Sequence, residues 1–211
     1  MIVYGPSASP YVRKVLAFAA EKGLDVESRP GTGPTPDPEF LAASPFRKIP
    51  AFRDGDFAIS DSSAIVAYME KVKPSPGLIP TDAKAHARTV WFEEFADTIL
   101  GACTVTMFFN RILAERFGRT PNLEAADRAE REDLPKALDY LESVIPASGF
   151  LVEDRVTLAD LAVASPFANL GHMGIAPSAK THPKTAAYVA SILARPSYAT
   201  LVAAEAAQFG G

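Results

Sequence analysis

Short apolar runs and helical periods alternate along the first third of the chain. Residues 1–4 form an apolar run of strand length, and residues 11–23 carry apolar side chains at helical spacing up to a glycine. A second strand is predicted at 25–29, a hairpin at 49–61 around an Asp-Gly-Asp turn, and a helix at 62–72. The pattern therefore predicts a β-α-β unit followed by a β-β-α unit.

The pattern changes after the second of these units. A stretch rich in proline, with one glycine, spans 75–83 and is interpreted as a linker. The chain beyond it is rich in alanine and helical periods and has no clear strand signal. We therefore expect two domains, 1–74 and an all-helical 84–211. Within the second, Thr157 and Asp160 stand at the spacing of a capping box.

Composition and charge narrow the class of protein. Of the 211 residues, 48% are hydrophobic and 22% are charged, which suits a globular protein, and the net charge of −4 argues against a general nucleic-acid binder. The single cysteine, Cys103, cannot form an internal disulfide, and with three scattered histidines it cannot complete a structural zinc site. The first residues do not predict a secretory signal, and the sequence has no apolar run of about 18 residues. We expect a cytoplasmic protein without a metal or a membrane span.

The first candidate for chemistry is Ser9, at the predicted start of the first helix. Pro10 suits the first helical position because it lacks an N–H, which makes Ser9 the N-cap residue. A capping hydrogen bond alone would explain a serine here. The alternative is that its hydroxyl donates a hydrogen bond to an anion, such as a thiolate, at the positive end of the helix. Ser7 and Tyr4 are the neighbouring hydroxyls that could take this role instead.

The second candidate is Lys48-Ile49-Pro50, at the start of a predicted strand. Proline suits a strand's first residue because it has no N–H to give to the ladder. From the residues alone the Ile49–Pro50 bond is expected to be trans, whereas a cis bond would turn the backbone of Ile49 towards an extended, peptide-like ligand. Lys48 is either a solvated surface lysine or a partner for a carboxylate.

The third candidate is the pair Asp61-Ser62, before the second predicted helix. Either residue can serve as the N-cap. Alternatively, the helix start binds a carboxylate while Asp61 meets an ammonium group. The three stretches together offer a donor to an anion, a backbone clamp and charges of both signs, which would suit a short zwitterionic peptide.

The same stretches carry a resemblance to a known family. The chain is similar to the cytosolic glutathione transferases over nearly its whole length, through the motifs "SPYVRKVLAFAAEKGL", "SPFRKIPAF", "GDFAISDSSAIVAYME", "VTLADLAVA" and "HPKTAAYVASILARPSYA". The resemblance implies an α/β thioredoxin-like N-terminal domain followed by an all-α C-terminal domain. It also implies that the chain is a serine-type member of this family, similar to the theta or tau class, from a bacterium or a related source.

The resemblance assigns roles to the first two candidates. Ser9 matches the serine that hydrogen-bonds the glutathione sulfur. Ile49 matches the residue whose backbone clamps the cysteinyl part, and Pro50 matches the family's cis-proline, so that cis becomes the expected isomer. Lys48 matches a basic residue that often meets the glycyl carboxylate.

The third candidate matches the family with one departure. Asp61 and Ser62 correspond to the pair that holds the γ-glutamyl end, where glutamate is commoner at the first position, so the reach is shorter here. Arg13 stands four residues after Ser9, a spacing seen in theta-like members. The first helix has no cysteine at its start, which argues against the members that carry out thiol exchange.

The second substrate is expected to bind between the two domains. Candidates for its pocket are Tyr11 in the first domain and Met107, Phe108 and Arg111 on a predicted long helix of the second. By spacing alone Met107 and Phe108 are core residues, whereas Arg111 could meet an anionic substrate. The sequence does not order these alternatives.

The resulting hypothesis is a glutathione transferase that acts as a homodimer. Glutathione would bind as co-substrate, ionise at the helix start with the help of Ser9, and be conjugated to a small hydrophobic electrophile. The alternatives are another glutathione-dependent activity on the same fold (peroxidase, dehalogenase, ether lyase or isomerase) and a non-catalytic binding or scaffold module. Nucleic acid and membrane are not expected as partners.

Overall fold

Four short strands form a mixed sheet in the order β2-β1-β3-β4. In the computed structural model, which describes residues 1–31 and 36–209, the strands are β1 (Ile2–Tyr4), β2 (Glu27–Arg29), β3 (Ala51–Asp54) and β4 (Phe57–Ser60). β1 pairs in parallel with β2 and antiparallel with β3, and β3 and β4 form the predicted hairpin. The predicted order of β-α-β and β-β-α units is confirmed.

Three helices belong to the same unit as this sheet. They are α1 (Pro10–Glu21), α2 (Pro38–Ala43) and α3 (Ser62–Val72). α1 connects the parallel pair β1 and β2, as a crossover between parallel strands requires, and it packs against α3. A core cluster joins Phe40 and Ala43 of α2 to Tyr4 and Ala51 of the sheet.

The rest of the chain is helical. Its helices are α4 (Ala83–Glu94), α5 (Gly101–Phe108), α6 (Leu123–Arg128), α7 (Leu134–Val144), α8 (Leu158–His172), α9 (Pro183–Leu193) and α10 (Pro196–Phe209). π-helical turns lie at Phe95–Leu100, Phe109–Leu113 and Ala129–Asp133, and a 3-10 turn lies at Glu115–Phe117. Up to residue 209, this part of the chain contains no strand, as predicted.

Helix α8 is the centre of the helical unit. Every residue from 158 to 170 is buried, and α8 packs against α4, α5 and α9. Its first turn is closed by Asp160, whose carboxylate accepts the N–H groups of Thr157 and Leu151, both at 2.9 Å. The predicted capping box is therefore present.

The chain divides into two compact units, Met1–Ile79 and Pro80–Gly211. The boundary falls inside the stretch 75–83. Within residues 1–31 and 36–209, none of the helices has both the length and the apolarity needed to span a membrane, and no group of three or more His, Cys, Asp or Glu side chains could hold a metal ion.

Candidate active site

Strand pairing brings the three predicted stretches to one edge of the sheet. Tyr4, the last residue of β1, pairs with Ala51, the first residue of β3. Ala51 in turn pairs with Ser60, the last residue of β4. The turn after β1, the loop before β3 and the turn after β4 consequently lie side by side.

Direct contacts confirm that these three turns meet. Gly5 has a φ of +131°, and a Cβ built on it would lie 2.6 Å from the side chain of Val12 and 3.0 Å from Cβ of Ile49, so only glycine fits here. On the other side, the N–H of Asp61 donates to the carbonyl of Pro50 at 3.4 Å. The edge is thus closely packed from β1 across to β4.

Ser9 lies at this edge, at the start of α1. It occupies the N-cap position, with extended backbone angles and Pro10 at the first helical position. Its hydroxyl nevertheless makes no capping hydrogen bond. Because the side chain is only half-buried, the hydroxyl is available to a ligand at the positive end of the helix. Ser9 is therefore the N-cap residue by position, but the hydrogen bond on which the simple capping explanation depends is not made.

The hydroxyl of Tyr4 is already engaged by a side chain of α2. The residue is completely buried, and its hydroxyl donates to Oε2 of Glu39 at 3.1 Å. Burial first, and then the Glu39 carboxylate, raise the pKa of Tyr4 above its usual value. A protonated, buried phenol bonded to a carboxylate serves to attach α2 to the sheet. Ser7 and Ser9, both half-buried, are the other two hydroxyls of this segment.

The loop before β3 is held by Ser44, a residue that the sequence analysis missed. This fully buried serine donates its hydroxyl proton to the carbonyl of Lys48 at 2.7 Å and accepts the N–H of Lys48 at 2.8 Å. Both backbone polar groups of Lys48 are thus occupied while its side chain is exposed. The only sequence signal is a serine before a proline at a helix end, which is typical of an ordinary turn.

The backbone of Ile49 differs from that of its two neighbours, Lys48 and Pro50. Its peptide bond to Pro50 is cis, as the resemblance predicted. Lys48 is bonded to Ser44, and the Pro50 carbonyl accepts the N–H of Asp61. In contrast, the N–H and C=O of Ile49 have no hydrogen-bond partner in the part of the chain that the structure describes. One donor and one acceptor are therefore left for an extended ligand.

Helix α3 begins at the same edge with Asp61. Its φ of 88° lies in the left-handed region that non-glycine residues rarely adopt. Oδ1 accepts the N–H groups of Ser63 at 2.9 Å and Ala64 at 3.0 Å, so Asp61 does cap the helix. Oδ2 has no hydrogen-bond partner among the described residues, and the side chain is exposed. Ser62 follows as the first helical residue and is buried.

The electrostatics of the edge favour negative charge. Two helices, α1 and α3, begin here, and each presents the positive end of its dipole. Arg13 and Lys14, in the first turns of α1, are almost completely buried and have interactions within the protein. An anion at the start of α1 is therefore stabilised by the oriented backbone dipoles of that helix.

The residues predicted for an electrophile pocket have different environments. Tyr11 is half-buried in the first turn of α1. Met107 and Phe108 are core residues of α5, with 0% and 3% exposure. Arg111 is bound by Asp127 at 2.7 Å and by Glu130 at 2.6 Å, so its charge is already neutralised. The pocket itself stays a prediction.

The single cysteine is not part of this edge. Cys103 lies in α5 with 4% exposure, and burial raises the pKa of its thiol to about 11. A thiol with this pKa stays protonated near neutrality and is a poor nucleophile. The interpretation of Cys103 as a small core residue is confirmed.

Comparison with known proteins identifies the family. Residues 3–77 match the profile "Glutathione S-transferase, N-terminal domain", and residues 108–204 match "Glutathione S-transferase, C-terminal domain". The chain is 32% identical to a glutathione S-transferase from Hyoscyamus muticus, over 96% of this chain and 97% of the relative. It is 33% identical to glutathione S-transferase 3 from Zea mays, over 96% and 93%.

Solved structures agree with this match. A glutathione S-transferase from Rhodospirillum rubrum F11 superposes with a TM-score of 0.84 at 27% identity, over 95% of this chain and 90% of that one. Glutathione S-transferase I from mais, in complex with an atrazine glutathione conjugate, superposes with a TM-score of 0.82 at 25% identity, over 96% of each chain. The chain belongs to the glutathione S-transferase family and has its thioredoxin-like domain followed by its all-helical domain.

Proposed function

We propose that this protein binds glutathione at the sheet edge as a thiolate and conjugates it to a small hydrophobic electrophile. The observation that carries the proposal is the hydroxyl of Ser9, which occupies a helix N-cap position without capping the helix. Most serines at such positions are present for the cap bond. One that does not make the bond, at the positive end of a helix, is suited to donate to an anionic sulfur.

The peptide part of glutathione fits the groups beside Ser9. The free N–H and C=O of Ile49 would pair with the cysteinyl backbone in the manner of a short added strand. The exposed ammonium of Lys48 would meet the glycyl carboxylate. Oδ2 of Asp61 would meet the γ-glutamyl ammonium, and the start of α3 at Ser62 would meet the γ-glutamyl carboxylate.

The chemistry follows from the charge at the start of α1. The glutathione thiol loses its proton to solvent because the helix dipole and the Ser9 hydroxyl stabilise the thiolate. The sulfur then attacks an electrophilic carbon, a carbon–sulfur bond forms, and the leaving group departs with the bonding electrons. Ser9 donates a hydrogen bond throughout and keeps its own proton, since a hydroxyl is a poor base.

The electrophile pocket is proposed to use Tyr11 first. This half-buried side chain lies two residues after Ser9, in the first turn of α1. Met107, Phe108 and Arg111 would contribute only if a ligand reached residues that are now buried or ion-paired. The atrazine conjugate bound to the mais enzyme supports an aromatic electrophile as the general class.

We further propose that the protein is a homodimer. Exposed apolar side chains lie along one continuous helical segment of the second unit, at Val90, Trp91, Ile99 and Val105, and Phe46 of the first unit is 84% exposed. Apolar surface of this kind is typical of a contact between subunits. Sedimentation equilibrium should give twice the chain mass, and Ile99→Glu should shift it towards the monomer. A monomer at micromolar wild-type protein would contradict the proposal.

A cytoplasmic location is proposed on chemical grounds. The co-substrate is a thiol, and Cys103 is a free, buried thiol, which suits a reducing compartment. Fractionation of the source cells should recover the protein with cytoplasmic markers; recovery in an oxidising compartment would contradict this proposal.

Calorimetric titration with glutathione, with thiolate absorbance read in the same samples, tests the function. We expect binding with release of a proton near neutral pH. Ser9→Ala should abolish the thiolate signal while glutathione still binds, and Ser7→Ala is the matched control. The absence of binding at millimolar glutathione would contradict the proposal, as would an unchanged thiolate signal in Ser9→Ala alone and combined with Ser7→Ala.

A further inference from the structure

The turn before α9 contains a threonine and a histidine that are hydrogen-bonded in series to an aspartate of α7. Oγ1 of Thr181 lies 2.9 Å from Nδ1 of His182. Nε2 of the same ring lies 2.9 Å from Oδ1 of Asp139. All three residues belong to the helical unit, and the proposed conjugation uses none of them. A hydroxyl, an imidazole and a carboxylate therefore stand in a row.

The two hydrogen bonds fix the direction in which a proton can move. An ionised carboxylate only accepts hydrogen bonds, so Nε2 of His182 carries the ring proton and donates it to Asp139. In the neutral ring Nδ1 then has a lone pair and accepts the hydroxyl proton of Thr181. The imidazole is therefore placed as a base for the hydroxyl, and the carboxylate orients it. This arrangement activates a hydroxyl as a nucleophile.

The nucleophile is open to a reagent, and a second hydroxyl in the same turn provides a comparison. Thr181 is exposed, whereas the side chain of His182 is only 13% exposed and is held against α7. Ser178 is also exposed, but its hydroxyl oxygen accepts the N–H of Lys180 at 3.2 Å. Only the threonine hydroxyl of this turn is paired with an imidazole.

The charges beside the threonine favour an anionic reagent. Lys180 and Lys184 are exposed, and neither has a carboxylate within ion-pair distance in the part of the chain that the structure describes. The acidic residues of α7 that face this turn are already engaged. Asp139 is bound to the histidine, and Glu142 accepts the N–H groups of Lys184 at 3.0 Å and Thr185 at 2.9 Å. The two ammonium groups are therefore left to attract an anion.

The backbone of the turn limits the chemistry to an activated reagent. The N–H groups of Thr181 and His182 both donate to the carbonyl of Ser178, at 3.2 Å and 2.7 Å. Pro183 has no N–H. None of these residues can therefore stabilise an oxyanion as a dedicated backbone donor does in a hydrolase. A single transfer from a reagent with a good leaving group fits this turn, and repeated hydrolysis does not.

We propose that Thr181 is an acyl-acceptor site that is modified by a small acyl phosphate. Oγ1 attacks the carbonyl carbon, and the bond between that carbon and the phosphate oxygen breaks. Phosphate leaves with the bonding electrons, and the hydroxyl proton passes to Nδ1 of His182 and then to solvent. The products are a threonine ester and free phosphate, so nothing is oxidised or reduced. Asp139 is a positioning residue, because it acts through the histidine.

Incubation of the full-length protein with acetyl phosphate, followed by peptide mass spectrometry, tests the site. We expect an acetyl ester on Thr181 that forms about ten-fold faster than on Ser178, because only the threonine has a base. Both residues lie in one short segment, so Ser178 is an internal control. Neutral hydroxylamine should remove the ester and leave any acetyl amides on Lys180 and Lys184.

Variants separate the roles of the three residues. Thr181→Val should abolish the ester. His182→Gln should slow ester formation about 100-fold, because the base is lost, and Asp139→Asn should slow it about ten-fold. Asp139→Glu keeps the carboxylate and should restore most of the rate, which a merely structural contact between α7 and the turn would not explain. Urea unfolding of each variant verifies that the fold is retained.

Four outcomes would overturn the proposal. They are the absence of an ester on Thr181, equal rates on Thr181 and Ser178, an unchanged rate in His182→Gln, and a phosphoryl group on the threonine in place of the acetyl group. An unchanged rate in Asp139→Asn would remove the positioning role. Glutathione titration of the acetylated and unmodified protein should give the same affinity, so a failure here stays separate from a failure of the proposed conjugation.

Discussion

The start of α1 and the start of α8 carry the same signal in the sequence, but only the start of α8 is capped by side-chain hydrogen bonds. Each has a hydroxyl residue at the N-cap position before an apolar helix. At α8 the cap is complete and buried, with Asp160 accepting hydrogen bonds from Thr157 and Leu151. At α1 the Ser9 hydroxyl makes no cap bond. A filled cap serves folding, and an unfilled cap at a sheet edge is available for chemistry.

The largest expected effect is at the filled cap. Asp160→Ala leaves two buried backbone N–H groups without an acceptor, so we expect a loss of about 3 kcal/mol in the free energy of unfolding. Urea unfolding measures it. Asp61→Ala, which removes an exposed cap, is the comparison and should cost about 1 kcal/mol. If Asp160→Ala lost no more unfolding free energy than Asp61→Ala, the distinction between a buried cap and an exposed cap would be contradicted.

The same carboxyl predicts a dependence of stability on pH. Burial raises the pKa of Asp160 to about 6, although hydrogen bonds from Leu151 and Thr157 oppose the shift. The folded protein therefore holds this proton more tightly than the unfolded chain does. The contribution of protonated Asp160 to the free energy of unfolding is full below about pH 4 and is lost as the pH rises to about 6. The difference in unfolding free energy between the wild type and Asp160→Asn should decrease over this range. An increase would contradict the assignment.

At the unfilled cap the effect should be on rate and not on stability. Ser9→Ala is expected to lower kcat/KM by one to two orders of magnitude, because a donor to the thiolate is lost. The free energy of unfolding should change by less than about 0.5 kcal/mol, because no cap bond is broken. Conjugation kinetics test the expected fall in kcat/KM, and urea unfolding of the same preparation tests the expected stability. A stability loss of about 1 kcal/mol with full activity would return Ser9 to a structural role.

Ser44 should fall between these extremes. Ser44→Ala removes both hydrogen bonds to the Lys48 backbone, so we expect a loss of about 1–2 kcal/mol in stability. Because the loop that presents Ile49 loosens, KM for glutathione should rise about three-fold with kcat nearly unchanged. Ser44→Thr keeps the hydroxyl and should restore KM. A change in kcat alone would contradict a positioning role.

The smallest effect is expected at Tyr4. Tyr4→Phe removes one hydrogen bond to the partly exposed Glu39, so we expect a stability loss of about 0.5–1 kcal/mol and unchanged conjugation. The measurement is the pH–rate profile alongside urea unfolding. A large fall in rate would mean that the buried phenol, and not Ser9, contacts the sulfur.

Much of the fold follows from local patterns. The alternation of strands and helices, the hairpin and the capping box at Thr157 were all predicted from spacing, because period and turn chemistry are local properties. Strand order then places the three stretches at one edge. The cis bond before Pro50 came only from the family resemblance, since the energy that separates the two isomers is too small for local sequence to decide.

The details of the site depend on distant partners. Whether the Ser9 hydroxyl fills its cap depends on its side-chain rotamer, which the sequence does not encode locally. Arg111 was one candidate for the electrophile pocket, and its ion pairs with Asp127 and Glu130, which come later in the chain, could not be predicted from spacing. Ser44 could not be recognised because serine at a helix end is common. A tertiary contact decides the role of Arg111 and of Ser44, and the side-chain conformation decides that of Ser9.

Asp61 limits which mutations this position can accept. Its backbone favours Gly, Asn or Asp, because φ is positive, and its cap bonds use one carboxylate oxygen and leave the other open. Glutamate would reach further towards an ammonium but is a weaker N-cap and suits the backbone less well. A search of random variants should therefore recover few active substitutions here, with asparagine the most tolerated.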